Sequence, residues 1–198
     1  MELFKEIKKS KGSVFGVVAS VHQGKTNTLF NIIEEVKNNK NNTSIFCYFY
    51  HSKYKELLKG VEFFNTWEDF ENLRDCVVFI DEFHTFFKLS NRHNNELVKQ
   101  LLTDIEQRNI KLFLCSAVKN YNGLICDAVG NNWILKSLQL KECVNGSGLA
   151  QYLKDISGDF KGVTRLHIPV DKAYFKGVMY DIPYLKKYDK KAERVALW

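Results

Sequence analysis

Three short stretches carry residue types whose spacing suits chemistry on a phosphate ester. The first is ASVHQGKTN, made of Ala19, Ser20, Val21, His22, Gln23, Gly24, Lys25, Thr26 and Asn27. It follows the pattern GxxxxGK[ST], in which a loop wraps backbone N–H groups around a phosphate at a helix N-terminus. Gly24 allows close backbone approach, Lys25 reaches the β and γ phosphates of a nucleoside triphosphate, and the Thr26 hydroxyl ligates Mg²⁺. The first glycine of the pattern is replaced by Ala19. A Gly-Lys-Thr helix start with no ligand would look the same in isolation.

The second stretch is CVVFIDEFH, where four apolar residues, Val77, Val78, Phe79 and Ile80, deliver two acids to a strand end. Asp81 is placed to hold Mg²⁺ through water. Glu82 points elsewhere and is placed to activate a water in line with the γ phosphate, as general base or water positioner. The third is KLFLCSA, whose first polar residue after the apolar run, Ser116, is either a γ-phosphate sensor or a serine satisfying a strand end. The implied cofactors are ATP and Mg²⁺.

Other residues stay open. His22 lies at a loop position where its contact with phosphate would be incidental, and His84 either approaches the γ phosphate or caps a helix. Tyr48, Phe49, Tyr50, Phe86 and Phe87 suit the core, or else a base-stacking platform.

Five apolar runs position these groups: SVFGVVAS (13–20), TSIFCYFY (43–50), CVVFID (76–81), KLFLCSA (111–117) and NWILKSLQL (132–140). Such continuous apolar strands suit a sheet buried on both faces. Between them lie helical stretches. NNELVKQLLTDIEQRN presents Leu97, Leu101, Leu102 and Ile105 on one face, and Thr66 caps TWEDFENLRD with Asp69 as its capping-box partner. The expectation is an α/β fold: a three-layer sandwich with a mostly parallel central sheet. A later helix, GLAQYLKDISGDF, precedes two strands, TRLHIPV and FKGVMYDI, read as a hairpin around Asp171 to Tyr174. The expected organisation is one domain over 1–198, with its core at about 13–140 and a basic extension at about 148–198.

One strand intervenes between the phosphate loop and the acidic strand, and Glu follows Asp at once. This is the pattern of the additional-strand, catalytic-glutamate division of P-loop proteins, with core order 5-1-4-3-2. IDEFHTFF, a helix ending EQRN, and IKLFLCSAVKNYNGLICDAVGNNWILKSL resemble the FtsK/HerA superfamily of DNA-pumping ATPases, and especially the small genome-packaging ATPases of some double-stranded DNA viruses. The resemblance covers about Val14 to Leu138. It implies ATP hydrolysis, translocation of double-stranded DNA, a homo-oligomeric ring, and docking to a capsid or portal protein. It also implies that Arg108 lies near a subunit interface as a finger to the neighbour's nucleotide; pairing with Asp104 one turn earlier is the alternative. The family usually ends its fourth strand Ser/Ala-Thr-Gln, whereas this chain has Ser116, Ala117 and Val118, so the sensor Gln is missing. Rival readings are a helicase loader or replication ATPase, a phage-morphogenesis assembly ATPase, and a non-hydrolysing nucleotide-gated interaction module.

Charge is concentrated at the ends. The chain carries 29 Lys+Arg and 23 Asp+Glu, net +6. Residues 13–150 hold 15 of each sign, whereas 151–198 hold 10 basic and 6 acidic. Basicity therefore says nothing about catalysis, but the C-terminal end suits a DNA path or a portal contact, or simple solubility. No apolar run approaches the length of a membrane span. The start, MELFKEIKKSKG, lacks a signal-peptide core, so the expectation is cytoplasmic, the host's cytoplasm if the chain is viral. Cys47, Cys76, Cys115, Cys126 and Cys143 have no CxxC pair and read as reduced core residues.

Overall fold

The computed structural model describes residues 2–20, 22–39, 43–50, 53–88, 92–140, 143, 148–157 and 165–185. A short amphipathic helix, α1 (Glu2–Lys9), comes first and buries Leu3, Phe4 and Ile7. The first apolar run then becomes β1 (Val14–Ala19), in which every residue is buried. The phosphate-loop motif leads into α2 (Lys25–Lys37). The second run forms β2 (Ser44–Tyr48), followed by α3 (Lys53–Leu57) and the two-residue β3 (Glu62–Phe63). Next come α4 (Trp67–Glu71), the fully buried β4 (Cys76–Asp81), and α5 (Phe83–Phe87). The capping box at α4 is present: Thr66 Oγ accepts from the Asp69 N–H, and the Asp69 carboxylate accepts from the Thr66 N–H. Such a cap is worth about 1 kcal/mol.

The longer helix α6 (Arg92–Asp104) runs into β5 (Ile110–Ala117). A 3₁₀ turn at Val118–Asn120, α7 (Gly123–Val129) and β6 (Trp133–Leu135) follow. The chain then forms β7 (Leu138–Gln139), α8 (Gly148–Ser157), β8 (Arg165–Leu166), β9 (Lys172–Phe175) and β10 (Val178–Asp181).

The larger sheet has the order β10-β9-β6-β1-β5-β4-β2-β3. From β6 to β3 every pairing is parallel, and β9 and β10 add antiparallel at one edge. The five expected strands therefore stand in the order 5-1-4-3-2, with β1 between β6 and β5. Side chains alternate between two cores. Phe15, Val17, Phe79 and Phe113 pack with α1, α2 and α3, while Val18, Val78, Ile80 and Leu114 pack with the helices on the other face. Phe113 stacks between Phe15 and Phe79 at centroid distances of 4.9 and 4.8 Å, which bridges the three central strands. The fold is thus α/β with a mostly parallel sheet between helical layers.

Three boundaries differ from expectation. The run 132–140 breaks into β6 and β7, because Lys136 turns its ammonium to the Val170 and Lys172 carbonyls and β7 leaves to pair with β8 in a separate small sheet. The hairpin turns at Lys176–Gly177, and residues 172–174 are strand. Both turn residues have positive φ, 47° and 88°, as a two-residue primed turn requires. The helix expected over 94–109 ends at Asp104; α6 buries Val98 and Leu101, with Leu97 and Leu102 on the flanks and Ile105 buried just beyond its end.

Cys47, Cys76, Cys115 and Cys126 are buried and Cys143 is half-buried, and among the described residues none forms a disulfide. No helix among the described residues is long and apolar enough to cross a membrane. Residues 158–160, the end of one expected helix, and 186–198, with part of the basic extension, lie outside the described residues.

Candidate functional site

Parallel strands with helical crossovers gather their C-terminal ends along one edge, and β1, β4 and β5 bring the predicted groups there. Ala19 pairs with Ala117 and Asp81 with Cys115, so the phosphate loop, the two acids and Ser116 all sit at the same sheet edge.

The loop is framed from the far side by β7. The Ser20 N–H donates to the Ser137 carbonyl at 3.0 Å, and Ser20 Oγ accepts from the Gln139 N–H at 2.9 Å. His22 and Gly24 both have positive φ, 60° and 80°, a main-chain form used in anion-binding concavities. Gly24 tolerates this without a Cβ penalty. No side chain caps the start of α2 and no acid lies in its first turn, so its free N–H groups and positive dipole end remain for an anion. Lys25 is buried, and among the described residues its ammonium has no hydrogen-bond or salt-bridge partner. Thr26 is half-buried, Asn27 is buried and His22 exposed. Val21 lies outside the described residues.

Asp81 is 3 % exposed, and among the described residues its Oδ1 has no hydrogen-bond partner. Burial first, then the Glu82 charge, push its carboxyl up to about 7, partly offset by the Cys115 thiol and the Lys25 ammonium. An orphaned carboxylate oxygen held at such a cost is what a divalent cation relieves, and Asp81 with the Thr26 hydroxyl are the groups that could hold Mg²⁺ here. Among the described residues no cluster of three or more His, Cys, Asp or Glu could hold a metal on protein ligands alone. A cation here would take its other ligands from phosphate and water.

Glu82 sits at the corner between β4 and α5 with φ 47° and ψ 52°. A left-handed non-glycine residue costs about 1–2 kcal/mol. The corner is held because the Glu82 carbonyl accepts from the Thr85 N–H at 2.9 Å and the Thr85 hydroxyl at 2.8 Å. Its side chain is turned to β5: Ser116 Oγ donates to Glu82 Oε2 at 2.9 Å. His84 Nδ1 lies 3.0 Å from Ser116 Oγ and 3.4 Å from Glu82 Oε2. Asn120 Nδ2 donates to Ser116 Oγ at 2.7 Å and lies 3.0 Å from His84 Nδ1. Ser116 is therefore bonded to the candidate base, and His84 stands in the same network. Asn120 is the residue sequence reasoning missed. Its only signal is a position four after Ser116, which comes within reach once a 3₁₀ turn replaces the strand.

Arg108 does not join this group. It precedes β5, at the opposite strand end from Ser116. Its guanidinium donates to the carbonyls of Phe70, Glu71 and Leu73 at 2.5–3.1 Å and lies over the Phe70 ring. It caps the C-terminus of α4, where a cation also meets the negative dipole end. Within this chain Arg108 is a buried helix cap, and among the described residues the Asp104 side chain is not one of its hydrogen-bond partners. The aromatic clusters are largely core, as Phe49 and Phe87 are buried, while Tyr50 is exposed.

Two further cations flank the loop. Arg165 Nη2 donates to Gln23 Oε1 at 3.2 Å. Lys136 is fully buried, its ammonium held by main-chain carbonyls, and burial lowers it to about 8. No protein-family model matches this chain, and no curated protein matches its sequence.

Proposed function

We propose that this chain is an ATP-hydrolysing P-loop motor that acts on double-stranded DNA as a homo-oligomeric ring, in genome packaging or translocation. The observation that carries the hydrolytic part is the meeting, at one sheet edge, of a helix start without a side-chain cap bearing buried Lys25 with the Asp81–Glu82 corner and Ser116. The strand order agrees with the P-loop NTPase fold of the catalytic-glutamate division. The DNA motor follows from the FtsK/HerA resemblance, and the basic C-terminal extension suits the DNA path or a capsid or portal contact.

In this reading the loop N–H groups and Lys25 hold the β and γ phosphates. Thr26 and Asp81 hold Mg²⁺, which neutralises phosphate charge when bound. Glu82 accepts a proton from water as the water oxygen bonds to the γ phosphorus and the bridging oxygen leaves with ADP. Ser116 fixes the Glu82 carboxylate at Oε2, so Oε1 is the oxygen that would take the water's proton. Strain at Glu82 serves this aim, since a relaxed residue would follow the strand direction.

The test is ATP turnover with and without double-stranded DNA across salt. Stimulation by DNA that weakens as salt rises supports the motor, and turnover rising faster than linearly with protein concentration supports sites shared in a ring. Turnover indifferent to DNA leaves an ATPase with another task.

A further inference from the structure

We propose that Asn120 is a positioning residue for Glu82, acting through Ser116: its carboxamide sets the direction of every proton in the Glu82–Ser116–His84 network. The inference rests on the hydrolytic reading above.

Proton bookkeeping carries it. Ser116 is fully buried and has one hydroxyl proton and two acceptor sites. Asn120 Nδ2 has two protons and two neighbours, Ser116 Oγ at 2.7 Å and His84 Nδ1 at 3.0 Å. One amide proton goes to each. Because Oγ accepts from Asn120, the hydroxyl's own proton is left for Glu82 Oε2, 2.9 Å away. Because Nδ1 accepts from Asn120, the proton of neutral His84 sits on Nε2. The ring then stands 3.4 Å from Oε2 as a lone-pair neighbour and does not claim the carboxylate. The result is a carboxylate tied by one bond at Oε2.

Remove the two amide donors and the order is lost. The Ser116 hydroxyl is then free to turn to His84 Nδ1, also 3.0 Å away, which releases Glu82. Aspartate in place of Asn120 keeps the shape but presents acceptors only, so it draws the Ser116 proton to itself and pulls a proton onto His84 Nδ1. Asn120 sits on the 3₁₀ turn after β5 and acts from behind Ser116.

The experiment measures Mg²⁺-ATP turnover and thermal melting of the full chain for wild type, Lys25→Ala, Asn120→Asp and Asn120→Ala. Loss of the one Ser116 hydrogen bond to the Glu82 carboxylate predicts that Asn120→Asp lowers kcat about tenfold or more, with KM for ATP within about threefold and an unchanged Tm. Asn120→Ala, which admits water in place of the amide, loses less, at least about threefold in kcat, and decides the matter if the aspartate variant does not fold. A kcat within about twofold of wild type, or losses of kcat and Tm that run together as for a merely structural residue, overturns the proposal while leaving the hydrolytic reading in place. Wild-type turnover no greater than that of Lys25→Ala defeats the hydrolytic reading, and this inference with it.

Discussion

Replacing Asp81 by asparagine should stabilise the chain at alkaline pH and, on the proposed function, weaken the binding of a divalent cation. The buried carboxyl is raised from 3.8 to about 7, chiefly by desolvation. A raised carboxyl means that the folded state binds the proton more tightly than the unfolded state. Stability from this group is therefore greatest below the unfolded value, falls as pH rises from about 4 to about 7, and is flat above that. At about 1.4 kcal/mol per pH unit, the ionised group costs the fold on the order of 4 kcal/mol at pH 8. Asparagine has the same shape and no charge, so it escapes this cost.

The expected gain at pH 8 is about 2–4 kcal/mol, a rise in Tm of at least about 4 °C for a chain of this length. At pH 4.5 the two proteins should melt nearly together. Thermal melts from pH 4.5 to 8.5 in chelator decide it. A second series with Mg²⁺-ADP should raise the Tm of wild type and not of the variant. A stability difference independent of pH, or an asparagine variant less stable at pH 8, would refute the reasoning that Asp81 is a desolvated carboxylate awaiting a cation.

Arg108→Lys should lose most of the bonds to the Phe70, Glu71 and Leu73 carbonyls, because an ammonium cannot reproduce the guanidinium fork; the expected cost is about 2–4 kcal/mol by thermal or urea melting. Turnover per folded molecule should hold, and a loss of turnover at unchanged Tm would restore the finger role. Gly177→Val places a β-branched residue at φ 88° in the β9–β10 turn and should cost at least about 1–2 kcal/mol. Amide exchange of β9 and β10 should speed up in that variant, and unchanged protection would argue against the turn.

The parallel core was legible because its strands are buried on both faces and so appear as unbroken apolar runs; Val14–Ala19 and Cys76–Asp81 are buried throughout. The meeting of the Gly24–Thr26 loop, the acid pair and Ser116 at one sheet edge was legible because each follows directly on an apolar run that forms a parallel strand. The break at Lys136 was not, because it depends on carbonyls more than thirty residues away at Val170 and Lys172. The Lys176–Gly177 turn hides in two residues of ordinary composition. Arg108 illustrates a limit of reading by position: its Nε and Nη2 donors go to a helix end that no local pattern reveals. Asn120 escaped notice for the converse reason, since its role exists only once β5 has turned through the 3₁₀ segment to face Ser116 and His84.

The central claim is that Glu82 takes the proton of the attacking water at a site built by the loop at Lys25. The most direct measurement is phosphate release from Mg²⁺-ATP by wild type and Glu82→Gln, with nucleotide binding followed in parallel. Glutamine keeps the bond from Ser116 but cannot accept the water's proton. Retained ATP binding with turnover reduced by about a hundredfold or more is the predicted result. Turnover in Glu82→Gln equal to wild type would contradict the account.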